Sequence, residues 1–219
     1  MFNKSMVSAM SLAEGIALVG GLLDTFAENH YRMDVAAREP GDAGVPLDMQ
    51  VGPVNADGWV EWQMLPSTLS EKDVAAVEDE FGVRFPPLFR AYLLARFQLF
   101  DQVHSRKYRQ LIFMTDVPFS GPLGKLRTLI QNWRPFLGAG FLPFAEWGDG
   151  WGPMCFDLQQ QNDEGECPVV WMDHERLIPL GPETSRRAAV LPWVNPLYAS
   201  CREFLFDVFV PEAREAESL

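Results

Sequence analysis

The sequence predicts an α+β fold, and three observations carry that expectation. Two apolar stripes at helical spacing follow one another between Ser70 and Phe100, a series of short apolar segments separated by turns fills 142–172, and a further helical stripe runs from Leu197 to Val208. Strands that succeed one another through turns pair with their neighbours, so helices and sheet are segregated along the chain. With 219 residues, 47% of them hydrophobic, the chain can bury a full core, and one main domain is expected.

The elements are justified in order. MVSAMSLAEGIALVGGLLDTF reads as a soluble helix: Glu14 interrupts the apolar run, the uninterrupted part from Gly15 to Leu23 is too short to span a bilayer, and no membrane association is expected. Ile16, Leu22, Leu23 and Phe26 share its face, although Gly20 and Gly21 weaken its middle. Residues 38–58, rich in Gly, Pro and Asp, have the composition of a connector. The expected organisation is therefore an N-terminal helix with its connector over 1–58, an α+β domain over 59–210, and a charged, frayed tail over 211–219. Ser70 and Asp73 form a capping box, Val74, Val77 and Phe81 a stripe, and Gly82 a stop signal. Pro86 and Pro87 suit the first turn of a second helix, with Phe89, Leu93, Phe97 and Phe100 on one face. Leu111 to Met114 reads as a strand, and Leu126, Ile130 and Trp133 as a short basic helix before Pro135. Leu142 to Trp147, Pro153 to Leu158 and Pro168 to Met172 read as strands, with 148–152 and 159–165 as turns. Asn195 and Pro196 have the chemistry of a cap and first residue for a closing helix that presents Leu197, Cys201, Phe204, Leu205 and Val208.

These landmarks resemble a known family. WQMLPSTLSEKDVAAVEDEFGVRFPPLFRAYLL looks like the opening of a SUKH domain, with Glu78, Gly82, Phe85, Pro86, Tyr92 and Leu93 in its characteristic places. LPFAEWGDGWGPMCFDL followed by CPVVWMDHE resembles the strand region of the same superfamily, which contains the fungal regulator of cell-wall synthesis and many bacterial immunity proteins. The resemblance covers roughly 59–209 and is weak over 100–140. It implies a single α+β domain with a mainly antiparallel sheet flanked by helices, no catalytic residues and no cofactor. It also implies a role as an immunity protein that binds a toxin domain, many of them nucleases or deaminases. A regulatory adaptor with a cellular partner is the alternative within the family.

Charge fits such a role. Thirty acidic against eighteen basic side chains, a net charge of -12, exclude nucleic acid as the main ligand and favour a basic protein partner. Residues 1–83 carry fourteen acidic and four basic side chains, 84–134 two and nine, and 135–219 fourteen and five. From Asp149 to Glu175 seven carboxylates (Asp149, Asp157, Asp163, Glu164, Glu166, Asp173 and Glu175) occur without a Lys or Arg. Such a patch steers a cationic partner. With Trp151 as an exposed aromatic anchor in its Gly-rich turn, the expected partner-binding residues are Asp149, Trp151, Asp163, Glu164, Glu166, Asp173 and Glu175.

The same stretch offers a competing chemistry. Asp173, His174 and Glu175 are adjacent, so in a strand they alternate faces and do not form one metal shell. A metal-dependent hydrolase would need Asp149, Asp157 and Asp173 to converge, yet no calcium-loop spacing, HExxH or GxSxG context is present. No bound metal is expected, and Trp171 reads as core. Cys155, Cys167 and Cys201 match neither a disulfide framework nor a CxxC site and read as buried small hydrophobes in a reducing cytoplasm.

Overall fold

The computed structural model describes residues 10–32, 37–41 and 44–210. In chain order these form α1 (Leu12–Arg32), β1 (Ala37–Arg38), β2 (Gln50–Val51), β3 (Val60–Trp62), β4 (Leu65–Pro66), α2 (Glu71–Phe81), α3 (Pro87–Ala95), β5 (Arg96–Phe97), β6 (Gln102–Ser105) and β7 (Gln110–Met114). Then follow α4 (Gly124–Asn132), α5 (Pro135–Gly138), β8 (Phe141–Trp147), β9 (Pro153–Asp157), β10 (Val169–Met172), α6 (His174–Leu177), α7 (Arg187–Val190), β11 (Val194–Tyr198) and α8 (Cys201–Phe209). The main sheet has the order β11-β10-β9-β8-β7-β6 with every pair antiparallel. A small sheet, β1-β3-β2, lies N-terminal to it. The fold is α+β with a curled antiparallel sheet, as the sequence predicts.

The central strands β8 and β9 are buried on both faces because helices cover both. On one side Phe144 and Phe156 stack at 4.1 Å and meet Phe89 of α3 at 5.5 and 5.1 Å and Phe204 of α8 at 5.3 Å. On the other, Phe141, Cys155, Val170 and Met172 pack with Phe136, Leu177 and Val190. The three thiols are buried and free.

Helix α2 begins as its sequence dictates. The Ser70 backbone N–H donates to Asp73 Oδ2 at 2.8 Å and its hydroxyl at 2.7 Å, while Gly82, at φ 67°, closes the far end in the left-handed conformation. Buried Glu78 then accepts the Phe85 N–H at 2.7 Å and Arg90 Nη1 at 2.9 Å, fixing the corner into α3. Phe81, Phe85, Phe89 and Leu93 are all buried, as expected.

Two expectations are corrected. The second helix stops at Ala95 rather than reaching Phe100, because Arg96 turns extended (φ -148°, ψ 148°) and pairs with Pro66, as Phe97 does with Leu65. Asn195 and Pro196 belong to strand β11, which pairs with β10, and the cap of α8 is Ser200, whose Oγ accepts the Glu203 N–H at 3.2 Å. The expected charged tail over 211–219 lies outside the described residues.

Helix α1 docks on the main domain. Val19, Leu23 and Ala27 are buried, with Ile16, Leu22 and Phe26 flanking them, so the stripe is centred one step away from the expected one. Burying Val19 and Leu23 stabilises this docking by about 1.5–3 kcal/mol each. The glycines permit the contact: a Cβ on Gly15 would stand 3.2 Å from that of Ala91, and one on Gly20 3.2 Å from the Arg96 guanidinium. That guanidinium holds Asp24 through two bonds of 2.7 and 3.0 Å. Within the Gly/Pro-rich connector, Val45 and Met49 are buried in the same core.

Candidate partner-binding surface

The Asp-His-Glu trio lies at the junction of β10 and α6, not within a strand. Asp173 is the N-cap of α6 and accepts the Glu175 N–H at 2.9 Å. His174 donates its backbone N–H to the Trp151 carbonyl at 2.9 Å, and its ring Nδ1 stands 3.1 Å from the same oxygen. The turn 148–152 is thereby latched to the start of α6. Gly152 makes the latch possible: at φ 143°, a Cβ there would fall 2.0 Å from the Met172 carbonyl oxygen.

The seven carboxylates divide into two groups. Phe156 pairs with Val169, Cys155 with Val170 and Met154 with Trp171, so the 148–152 turn meets the end of β10 while the 158–168 loop joins the opposite ends of the two strands. Five residues of β9 separate them, about 16 Å at strand rise. Asp149, Trp151, Asp173 and Glu175 occupy one end of the sheet. Asp157, Asp163, Glu164 and Glu166 occupy the other.

Burial divides them again. Asp149, Asp163, Glu164 and Glu175 are exposed, and Asp173 is half-buried by its capping role. Asp157 is fully buried and bound by Arg187 through bonds of 2.7 and 2.9 Å, with the guanidinium 4.7 Å from the centre of the Phe141 ring. Glu166 is buried as well, its Oε1 accepting the Leu88 N–H at 2.9 Å in the first turn of α3. Its removal from water raises its pKa, and the Leu88 bond only partly opposes this. Glu166 is thus a helix-capping group rather than part of the surface.

At the Trp151 end the structure adds residues that the sequence reading missed. Trp151 is 52% exposed, and Trp193 (37%), Ile178 (71%) and Leu191 (46%) are exposed too. Val194 pairs with Met172 and the Trp151 carbonyl bonds to His174, which puts Trp193 and Trp151 at the same end of β10. The Arg176 guanidinium lies 5.5 Å over the Trp193 ring. Ile178 follows α6 directly, and Leu191 precedes Trp193 by two residues. Half-buried Trp171 stacks on Trp147 at 6.0 Å beneath this end. Pro192 next to Trp193 was the available signal, since a proline beside an aromatic favours a loop that can present it.

The candidate reactive groups near this surface are engaged or widely separated. Among the described residues no three His, Cys, Asp or Glu side chains are grouped to hold a metal. Asp157 is occupied by Arg187 and Asp173 by its cap, so Asp149, Asp157 and Asp173 do not converge. Burial pushes the Cys167 thiol up to about 12 and raises Cys155 and Cys201 well above their ordinary value, so none offers a thiolate nucleophile at neutral pH. Among the described residues no helix is long and apolar enough to cross a membrane.

The model of the SMI1 / KNR4 family (SUKH-1) matches residues 68–205, from the residues before α2 into α8. No curated protein matches the chain. The match takes in the main sheet and the Trp151 surface and leaves out α1 and the small sheet.

Proposed function

Because the chain belongs to the SMI1 / KNR4 family (SUKH-1), we propose that it is a non-catalytic binding module acting in the cytoplasm, an immunity protein that neutralises a cognate bacterial toxin domain. The observation that carries this reading is the Trp151 end of the sheet. There Trp151 is exposed on a turn hydrogen-bonded to the start of α6, beside the exposed carboxylates Asp149 and Glu175, with exposed Ile178, Leu191 and Trp193 in the segments that adjoin α6 and β11. Large rigid side chains of this kind, fixed before binding, are the usual energetic centres of protein interfaces. The carboxylate rim and the net charge of -12 favour a basic partner, such as a nuclease or deaminase domain.

The test begins with the partner, taken from the adjacent gene or by pull-down, and measures association and dissociation at two ionic strengths. Trp151→Ala should accelerate dissociation by about thirtyfold, as for a hot-spot residue worth about 2 kcal/mol. Charge reversal of Asp149 and Glu175 should slow association and flatten its salt dependence, more than reversal of Asp163 and Glu164 at the far end. Unchanged rates in Trp151→Ala and Trp193→Ala would remove this surface from the interface. A captured partner that is a cellular regulator rather than a toxin would favour the adaptor role instead.

A further inference from the structure

The small sheet presents a second surface, outside the family-matched span. Its inner face is packed: Val60 and Trp62 of β3 are buried in the main core with Met49 and Val45. Among the described residues no helix or strand covers its outer face. There Glu61 stands on the central strand directly between Ala37 of β1 and Val51 of β2, and Trp59, two residues earlier, projects from the same face. Trp59 is 49% exposed, and Ala37, Val51, Pro53, Asp57, Trp59 and Glu61 line a cleft of about 790 Å³.

Three features argue for an occupant. The turn leading to the indole is fixed by Asn55, whose Oδ1 accepts the N–H groups of Asp57 and Trp59 at 3.0 and 2.9 Å. Arg38 of β1 is clamped to Asp101 by bonds of 2.6 and 2.9 Å, so the sheet does not swing away from the main domain. Glu61 is a carboxylate in the middle of an apolar sheet face, and among the described residues neither it nor Asp57 has an ion-pair partner. An apolar occupant alone would bury those charges uncompensated. A segment bearing a cation would satisfy them.

We propose that this cleft binds a short extended segment of a partner protein in which Lys or Arg alternates with large apolar side chains, the cations meeting Glu61 and Asp57 and an apolar side chain packing on Trp59 and Val51. It lies outside the matched span and apart from the Trp151 surface.

The full chain is used as bait for a displayed library of random short peptides. Enriched sequences should combine Lys or Arg with Leu, Ile, Val or an aromatic. A synthesised winner should lose affinity by about tenfold or more with Trp59→Ala and with the isosteric Glu61→Gln, and keep it with Trp151→Ala. Both altered side chains are exposed, and melting curves check that the variants fold; should Trp59→Ala not fold, Glu61→Gln alone decides. The proposal is overturned if no peptide is enriched, if winners lack basic residues, if they respond to Trp151→Ala and ignore Glu61→Gln, or if Trp59 instead mediates self-association of the chain. Loss of the Trp151 result alone leaves this cleft standing, and the reverse also holds.

Discussion

Asp157 and Glu166 are buried acids flanking one loop, and they are satisfied to different degrees. Asp157 has two bonds from Arg187, a third from Gln160 Nε2 at 2.9 Å and a fourth from the Gln159 N–H at 3.1 Å. Arg187→Met should therefore leave a buried charge unpaired and cost about 3–5 kcal/mol in denaturant unfolding, with Asp157→Asn in the same chain recovering part of it. Glu166 gives one oxygen to Leu88, while the other has no partner among the described residues. Burial raises its native pKa, so between the ordinary value of 4.5 and the raised one the native state keeps a proton that the unfolded chain has lost. Stability from this group must then fall as pH rises through that window. Asp116, also raised by burial in spite of Lys125 at 2.6 Å, contributes with the same sign from 3.8 upward. Glu166→Gln should flatten the slope of unfolding free energy against pH above 4.5; an unaltered slope in urea melts would assign it elsewhere.

Among the elements, α2 and β11 show what a sequence discloses. The start and stop of α2 depend on Ser70, Asp73 and Gly82, all within the helix or at its ends, and so they are legible without knowledge of the fold. β11 is not, because Asn-Pro is local cap chemistry whereas pairing with β10 is set by distant residues. β11 is the edge strand of the sheet, which is where a proline that cannot donate to the ladder is tolerated. Ser200 and Glu203 did carry a cap signal that Asn195 and Pro196 obscured. The exposure of Trp151 was readable from its Gly-rich turn, but the separation of the carboxylates was not, since neighbours in sequence lie at opposite ends of β9. Two changes test the packing. Phe89→Ala, at the meeting of α3 with β8 and β9, should cost about 3–5 kcal/mol, and a cost below about 0.5 kcal/mol would contradict its burial. Gly15→Leu should cost about 1–3 kcal/mol by overpacking against Ala91. It should lower amide-exchange protection in α1 while leaving that of β8 and β9 intact.

Across the whole molecule, charges segregated along the sequence are recombined in space. Of the basic residues in 84–134, Arg84 meets Asp79, Arg90 meets Glu78, Arg96 meets Asp24, Lys107 meets Glu203, and Arg127 meets Glu80, so this segment ties the two acidic ones together. Asp149, Asp163, Glu164 and Glu175 take no part in any ion pair among the described residues. Reversing the four together should change stability by no more than about 0.5 kcal/mol per site, measured by thermal unfolding. A larger loss would mean that they hold the fold rather than present a surface.

Phe26 of α1 lies edge-on between Phe100 at 5.0 Å and Phe209 at 5.2 Å. During synthesis α3 follows α1 early and can cover the Gly15 side of its stripe, but Phe209 of α8 is made only after the strands of the main sheet, so the Phe26 side stays incompletely covered until then. The contact that seats α1 on α8 can form only after every strand of the main sheet has been made, which makes folding dependent on very non-local closure and leaves part of the nascent helix open to aggregation until then.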